Sequence, residues 1–171
     1  PYFRRVFEIG KSVKSARAYI TVAGLYELYV NGCRVGNHIL DPMYTRYDRR
    51  NLYVTYDVTS QLQRGKNVMG VLLGNGWYNH QSMAVWNFHN APWRNRPTFC
   101  LDLKIVYEDG STEVVSSDKD WKTSTGPLIS NSIYTGVHYD ARQEQKGWST
   151  IEFNDSGWED VIYRSAPSKK I

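Results

Sequence analysis

The segment TFCLDLKIVY at Thr98–Tyr107, together with TEVVS at Thr112–Ser116, decides the fold class. The apolar side chains of the longer segment alternate with polar ones, so they share one face of a β-strand. They are Phe99, Leu101, Leu103, Ile105 and Tyr107. The intervening Glu108-Asp109-Gly110 is typical of a tight turn. The two segments therefore predict a β-hairpin with one buried face.

Four more segments predict strands, and helical patterns are poor. Residues 16–23 alternate in part, Leu25–Val30 stops at the strong hairpin signal Asn31-Gly32, and residues 51–58 follow later. Residues 67–73 are continuously apolar, as in a strand that is covered on both faces. Residues 59–64 predict one helical turn, with Thr59 or Asp57 as its cap and Gly65 as its stop. The pattern predicts an all-β protein, an antiparallel β-sandwich or jelly roll with long aromatic loops and little helix.

Length and composition indicate a single globular domain. The chain has 171 residues, of which 41% are hydrophobic and 22% charged. We predict one β-sandwich domain over residues 1–166 and a linker or truncation point at residues 167–171. The chain opens in mid-strand at Pro1, which indicates a segment of something longer. No apolar run approaches the ~20 residues that span a bilayer, so we expect no membrane partner.

The charge and the cysteine content argue against a nucleic-acid-binding protein, a disulfide-rich scaffold and a zinc ribbon. The net charge is +4 and no run of Lys and Arg exceeds two residues, so we expect no nucleic-acid partner. Cys33 and Cys100 are the only cysteines, too few for a disulfide scaffold or a zinc ribbon. We expect two buried, unreactive thiols, although a disulfide between them stays open.

Aromatic residues are concentrated in two long loop-like stretches, residues 75–97 and 131–148. Loops of this length are usually functional. The candidate carbohydrate or domain contacts are Trp77, Tyr78, Trp86, Trp93, Arg94 and Arg96 in the first stretch, and Tyr134, Asp140, Arg142 and Glu144 in the second. The first loop either forms an exposed patch, in which flat rings cover the C–H faces of a sugar, or folds back over one sheet.

The acidic residues do not form a recognisable catalytic pair. A glycosidase needs two carboxylates across the scissile bond, but Glu108 and Asp109 lie in a predicted turn. Asp140, Arg142 and Glu144 alternate, so we expect them to share one face of an extended segment. They would form either a surface ion-pair row or a polar patch for a sugar or a neighbouring domain. We assign no catalytic residue and no metal ligand.

One motif series is familiar. The stretch GLYELYVNGCRVG at residues 24–36 resembles the core motif of the bacterial alpha-L-rhamnosidase N-terminal domain. The resemblance continues through LGNGWY at residues 73–78 and IYTGVHYDAR at residues 133–142. Val137 stands where the family usually has an acidic residue. The resemblance extends over nearly the whole chain in order and spacing.

The resemblance implies a jelly roll of the galactose-binding type, attached to a larger inverting enzyme that releases terminal L-rhamnose. The catalytic carboxylates would lie in a downstream (α/α) barrel that this chain does not contain. The chain itself would then be a non-catalytic accessory domain that supports or extends the substrate site. The alternatives are an autonomous module that binds L-rhamnose, with calcium as in some relatives, and a structural spacer.

The resemblance also implies the partners. They are a rhamnose-containing carbohydrate and the downstream catalytic domain of the same polypeptide. Apart from calcium, no cofactor is expected. A bacterial protein is implied, with a periplasmic or extracellular location favoured over a cytoplasmic one.

Overall fold

The computed structural model describes residues 1–81, 83 and 86–170. The described chain forms twelve antiparallel strands: β1 (Tyr2–Ile9), β2 (Val13–Ala23), β3 (Leu25–Val30), β4 (Cys33–Arg34), β5 (Tyr53–Asp57), β6 (Gly65–Gly74), β7 (Thr98–Tyr107), β8 (Thr112–Ser116), β9 (Lys122–Ser124), β10 (Leu128–Ser132), β11 (Gly136–Tyr139) and β12 (Glu159–Asp160). Three short 3-10 turns cover Thr59–Gln61, Phe88–Asn90 and Ala141–Gln143.

Two sheets form the sandwich. The larger sheet has the order β12-β9-β1-β6-β3-β4, and its outermost strands have two residues each. The smaller sheet has the order β5-β2-β7-β8, and β10 and β11 form a separate hairpin. The prediction of an all-β antiparallel sandwich is confirmed.

The core lies between the two sheets because alternate residues of each strand point inward. Leu28 and Val71 are register partners in the larger sheet, and Ile20 and Leu101 are partners in the smaller one. All four are buried. Complete burial of such a side chain contributes about 1.5–3 kcal/mol, so this layer supplies much of the stability.

Local sequence signals gave the best predictions. The strands β7 and β8 have the predicted bounds, and Asp109 Oδ1 accepts a hydrogen bond from Ser111 N (2.9 Å) in the turn between them. The helical turn predicted for residues 59–64 is shorter, a 3-10 turn over Thr59–Gln61 that ends at Leu62 and not at Gly65. Its N-cap is Val58, while Asp57 Oδ1 accepts the N–H of Thr59 (3.0 Å) just before the turn. The strands β4 and β9 to β12 were missed because two to five residues carry too short a pattern.

The expectation of buried cysteines is wrong. Cys33 and Cys100 are both exposed and both are free thiols. Cys100 lies opposite Thr21 and between Phe99 and Leu101, so the alternation of β7 turns it outward. Cys33 follows directly on the Asn31-Gly32 turn.

The segment after residue 166 lies against the sandwich. Ser168 is buried, and Lys170 O accepts a hydrogen bond from Asn51 N (3.0 Å). The boundary at residue 166 stays a prediction. In the described residues, no helix is long and apolar enough to cross a membrane.

Candidate functional site

The aromatic side chains of the long loop gather into one cluster with rings from two other loops. We call this set the aromatic loop cluster. Its members are Tyr44, Tyr47, Trp77, Tyr78, His80, Phe88, Trp93 and Tyr134. Trp77 lies at its centre, with ring centroids 5.1 Å from Phe88, 5.6 Å from Tyr134 and 6.2 Å from Tyr44. Edge-to-face contacts at these distances add stability beyond the buried area.

A pair of asparagines brings the β10–β11 hairpin to this loop. Asn131 Oδ1 accepts the N–H of Asn75 (2.7 Å), and Asn75 Nδ2 donates to Asn131 O (2.9 Å). Gly76 follows with φ +50°, and a Cβ there would lie 3.0 Å from Leu25 Cγ. The chain therefore turns tightly enough to bring Trp77 against Tyr134.

The side chains of the cluster are buried at its base and become more exposed toward its rim. Tyr47 and Tyr78 are buried beside Ala23, and Trp77 and Trp93 are half-buried against them. Burial raises the pKa of the Tyr78 hydroxyl above its ordinary value. Tyr134 at the rim is 52% exposed. The loop at residues 75–97 therefore packs at its base through Tyr78, while the exposed rings at the rim, Tyr44 and Tyr134, come from two other loops.

The predicted arginines are placed differently. Arg94 Nε donates to His80 O (2.8 Å), which fixes it to the cluster. Arg96 lines a separate cavity, and Trp86 is 69% exposed. Arg46, which the sequence analysis did not select, lies over the Trp93 ring at 5.8 Å. The structure therefore brings together Trp77, Tyr78, Trp93, Tyr134 and Arg94 of the predicted contacts.

The prediction that Asp140, Arg142 and Glu144 share one extended face is wrong. The segment forms the 3-10 turn Ala141–Gln143, because Asp140 caps it by accepting the N–H of Arg142 (3.1 Å). Arg142 Nε and Nη2 also donate to the Asp140 carboxylate, at 2.9 and 2.8 Å. Hydrogen bonds from Arg142 lower the pKa of Asp140 to about 2.

A second constellation was missed altogether. Arg4 is 1% exposed, forms an ion pair with Asp155 and donates to Thr150 O (2.8 Å). Lys122 Nζ binds the other oxygen of the same carboxylate at 3.0 Å. These contacts hold residues 148–158, which we call the cover segment, over the outer face of the larger sheet.

Aromatic stacking reinforces this cover segment. Trp148 stacks on Tyr2 with ring centroids 4.4 Å apart, and Trp158 lies on Tyr2 at 6.2 Å. A Cβ at Gly70 would lie 2.6 Å from Trp148 Cζ3, so the glycine makes room for the indole ring. The sequence gives little signal for this cover, because two of the four residues on the outward face of β1, Arg4 and Glu8, are charged.

Comparison with known proteins agrees with this fold. The sequence model of the "Alpha-L-rhamnosidase N-terminal domain" matches residues 11–171. The chain belongs to this family. Among relatives of this alpha-L-rhamnosidase N-terminal domain, an alpha-L-rhamnosidase of Formosa agariphila is 42% identical over 163 residues, which are 92% of this chain and 17% of the relative.

Two solved structures resemble the rhamnosidase N-terminal domain closely. Alpha-L-rhamnosidase from Dictyoglumus thermophilum has a TM-score of 0.88 and 43% identity, over 97% of this chain and 18% of that one. The enzyme of Streptomyces avermitilis, solved in complex with L-rhamnose, has a TM-score of 0.90 and 36% identity, over 98% and 16% of the two chains. The domain thus spans less than a fifth of these relatives.

Proposed function

We propose that this rhamnosidase N-terminal domain is a non-catalytic accessory domain, which supports or extends the substrate site of a catalytic domain in the same polypeptide. The aromatic loop cluster is the observation that supports this most. Its buried base holds Trp77 in place, while Tyr44 and Tyr134 at the rim offer ring surface. Rigid rings lose little conformational entropy on contact, and they suit both a sugar face and a domain interface.

The ion pairs of the aspartates also support a non-catalytic role. Arg142 binds Asp140, and Arg4 and Lys122 bind Asp155; the pKa of each of these carboxyl groups is lowered. A general acid must instead be protonated at working pH, and such pairing favours the ionised form. We therefore expect the isolated domain to release the aglycone of an aryl alpha-L-rhamnoside no faster than buffer. Activity that disappears in Asp140→Asn or Glu144→Gln would overturn this role.

A domain replacement tests the supporting role directly. In the Formosa agariphila relative, the matching segment is replaced by this domain, with and without Tyr134→Ala. We expect Tyr134→Ala to reduce kcat/KM by about 5- to 150-fold, because a contact aromatic typically contributes about 1–3 kcal/mol. Tyr53→Ala is the matched control, since Tyr53 is an equally exposed ring on β5. Equal activity in both variants would favour the structural spacer instead.

An autonomous module for L-rhamnose is the second candidate, and the exposed rings of the cluster favour it. Calcium takes six to eight oxygens, often from carboxylates, but the described residues contain no group of three or more His, Cys, Asp and Glu that could hold a metal ion. We therefore assign no step to calcium. Calorimetry of the domain with L-rhamnose, with and without calcium, distinguishes the candidates, because only a module binds the sugar by itself.

A further inference from the structure

Positive charge is concentrated in three segments of the chain. Residues 44–51, 75–97 and 161–170 contain eight of the 21 Lys and Arg residues but only one of the 17 Asp and Glu residues, Asp48. These segments therefore carry a net charge of +7, although the whole chain carries only +4. Soluble domains normally intersperse charges of both signs, and a large field of one sign attracts a partner of the opposite sign.

The strand registers place these segments at one end of the sandwich. The strands β5 and β7 both begin opposite the last three residues of β2. Residues 44–51 precede β5 and residues 75–97 lead into β7, so both segments lie at the end where β2 finishes. Residues 161–170 return to the same end, where Lys170 O accepts the N–H of Asn51 (3.0 Å).

This end also holds the aromatic loop cluster. Arg46 lies over the Trp93 ring at 5.8 Å. Burial raises the pKa of Tyr78 and the positive charge of Arg164 opposes this rise, which places Arg164 beside the base of the cluster. We call this surface, which combines cations with exposed rings, the basic end. Its cations are Arg46, Arg49, Arg50, Arg94, Arg96, Arg164, Lys169 and Lys170.

Most of these cations have no anionic partner in the protein. Arg46 binds Asp48, but the other seven form no ion pair within the residues that the structure describes. All eight are exposed. Two acidic residues, Asp118 and Glu159, line the cavity beside this end, and Arg5 already pairs with Asp118 at 2.6 Å. The basic end therefore keeps an excess of positive charge that an external anion can neutralise.

We propose that the basic end binds a saccharide chain that carries carboxylate or sulfate groups. This inference rests on the proposed function, and it names the chemical class of the substrate at the same site. Guanidinium groups form paired hydrogen bonds to such anions, while an exposed ring such as Tyr134 covers the C–H face of a sugar. Single-stranded nucleic acid also binds to cations and rings, but membership of a rhamnosidase family favours a carbohydrate.

Octagalacturonate and its full methyl ester provide the test, because esterification removes the charge and keeps the sugar chain. The Kd of each for the whole chain is measured by isothermal titration calorimetry in about 50 mM NaCl. We expect the acid to bind about tenfold more tightly than the ester, and about 300 mM NaCl to abolish this difference, because salt screens exposed charges. Dextran sulfate and dextran repeat the comparison for sulfate groups, so the pair with the larger difference identifies the anion.

A pair of double variants locates the site. Arg96→Gln/Arg164→Gln should weaken binding of the acidic chain about tenfold and leave the neutral chain unchanged. Arg64→Gln/Lys66→Gln is the matched control, because it removes two charges at the far end of β6, roughly 25 Å along the strand from residue 75, and it should change the Kd less than about twofold. All four side chains are exposed, so thermal melts of both variants should match the wild type.

Several results would contradict the assigned ligand class. They are equal affinity for the acidic and neutral chains, no binding of either acidic chain, an equal loss in the two double variants, and tighter binding of single-stranded oligo(dT) than of both acidic saccharides. The domain replacement described above tests the accessory role separately. If Tyr134→Ala lowers kcat/KM there while no acidic saccharide binds to the basic end, the accessory role stands and only the inference from charge fails.

Discussion

Substitution of Asp155 by alanine should destabilise the domain more than any change at an exposed ion pair. The carboxylate is an anionic partner of Arg4, which is 1% exposed and lies over the Phe153 ring at 5.4 Å. In Asp155→Ala, the guanidinium keeps the carbonyl of Thr150 but loses this charge partner. Removing one member of a buried ion pair costs about 3–5 kcal/mol. Lys122 is partly exposed and returns to water, so its loss adds little.

This loss of about 3–5 kcal/mol is a large share of the stability of the domain, because the free energy of unfolding of such a domain is roughly 5–15 kcal/mol. Urea unfolding followed by circular dichroism measures it. Asp48→Ala is the matched control, since Asp48 binds Arg46 at 2.9 Å at the surface and should cost no more than about 1 kcal/mol. The double variant Arg4→Met/Asp155→Ala should recover much of the loss, because no charge is then left buried.

A different result would refute this account of the cover segment. If Asp155→Ala costs no more than Asp48→Ala, Arg4 is not held as a buried charge. If the double variant is as unstable as the sum of the single ones, the two residues do not act on one another.

Three further predictions follow from the same structure. Burial alone would raise the pKa of Asp155, but Lys122 and Arg4 outweigh it and lower the pKa. The folded wild type should therefore be more stable than Asp155→Asn at every pH above the unfolded pKa of about 3.9. This difference in stability should vanish as the pH falls through the pKa of the folded state. Urea midpoints between pH 7 and pH 3 measure this, and a gap that widens in acid would contradict it. Trp86→Ala should change the free energy of unfolding by less than about 0.5 kcal/mol, because the ring is exposed. Trp93→Ala should lower it by about 1–3 kcal/mol, because its half-buried ring packs on the cluster. Thermal melts of both variants measure this difference. Gly70→Ala should lower the free energy of unfolding by about 1–3 kcal/mol and shift the tryptophan fluorescence, because the new methyl group displaces Trp148. Gly10→Ala is the control: its Cβ would have no atom within 4 Å, so the fluorescence should not shift.

The parts of the fold that depend on neighbouring residues could be predicted from the sequence. Alternation and a turn signal suffice for β7 and β8, and the same alternation could have shown that Cys100 points outward. The hydrogen bond from Thr59 N–H to Asp57 Oδ1 is equally local, although the N-cap of the turn is Val58 and not Asp57.

The parts that depend on distant residues could not be predicted. Arg4 and Asp155 lie 151 positions apart, so neither local pattern indicates a buried charge. The candidate site shows the same limit: Tyr78 and Tyr134 look alike in the sequence, but one is buried beside Tyr47 and the other lies at the rim. Asp140 caps a turn instead of continuing a strand, because its side chain accepts a hydrogen bond from the backbone N–H of Arg142, two residues further on.

The two margins of the larger sheet affect how the protein behaves at high concentration. Each margin is a two-residue strand, Cys33–Arg34 on one side and Glu159–Asp160 on the other, and both carry charge. A strand from another molecule would find few unpaired backbone groups there, and it would have to pair beside charged side chains. The sandwich can therefore keep a wide, strongly apolar interior without offering these margins as templates for lateral polymerisation.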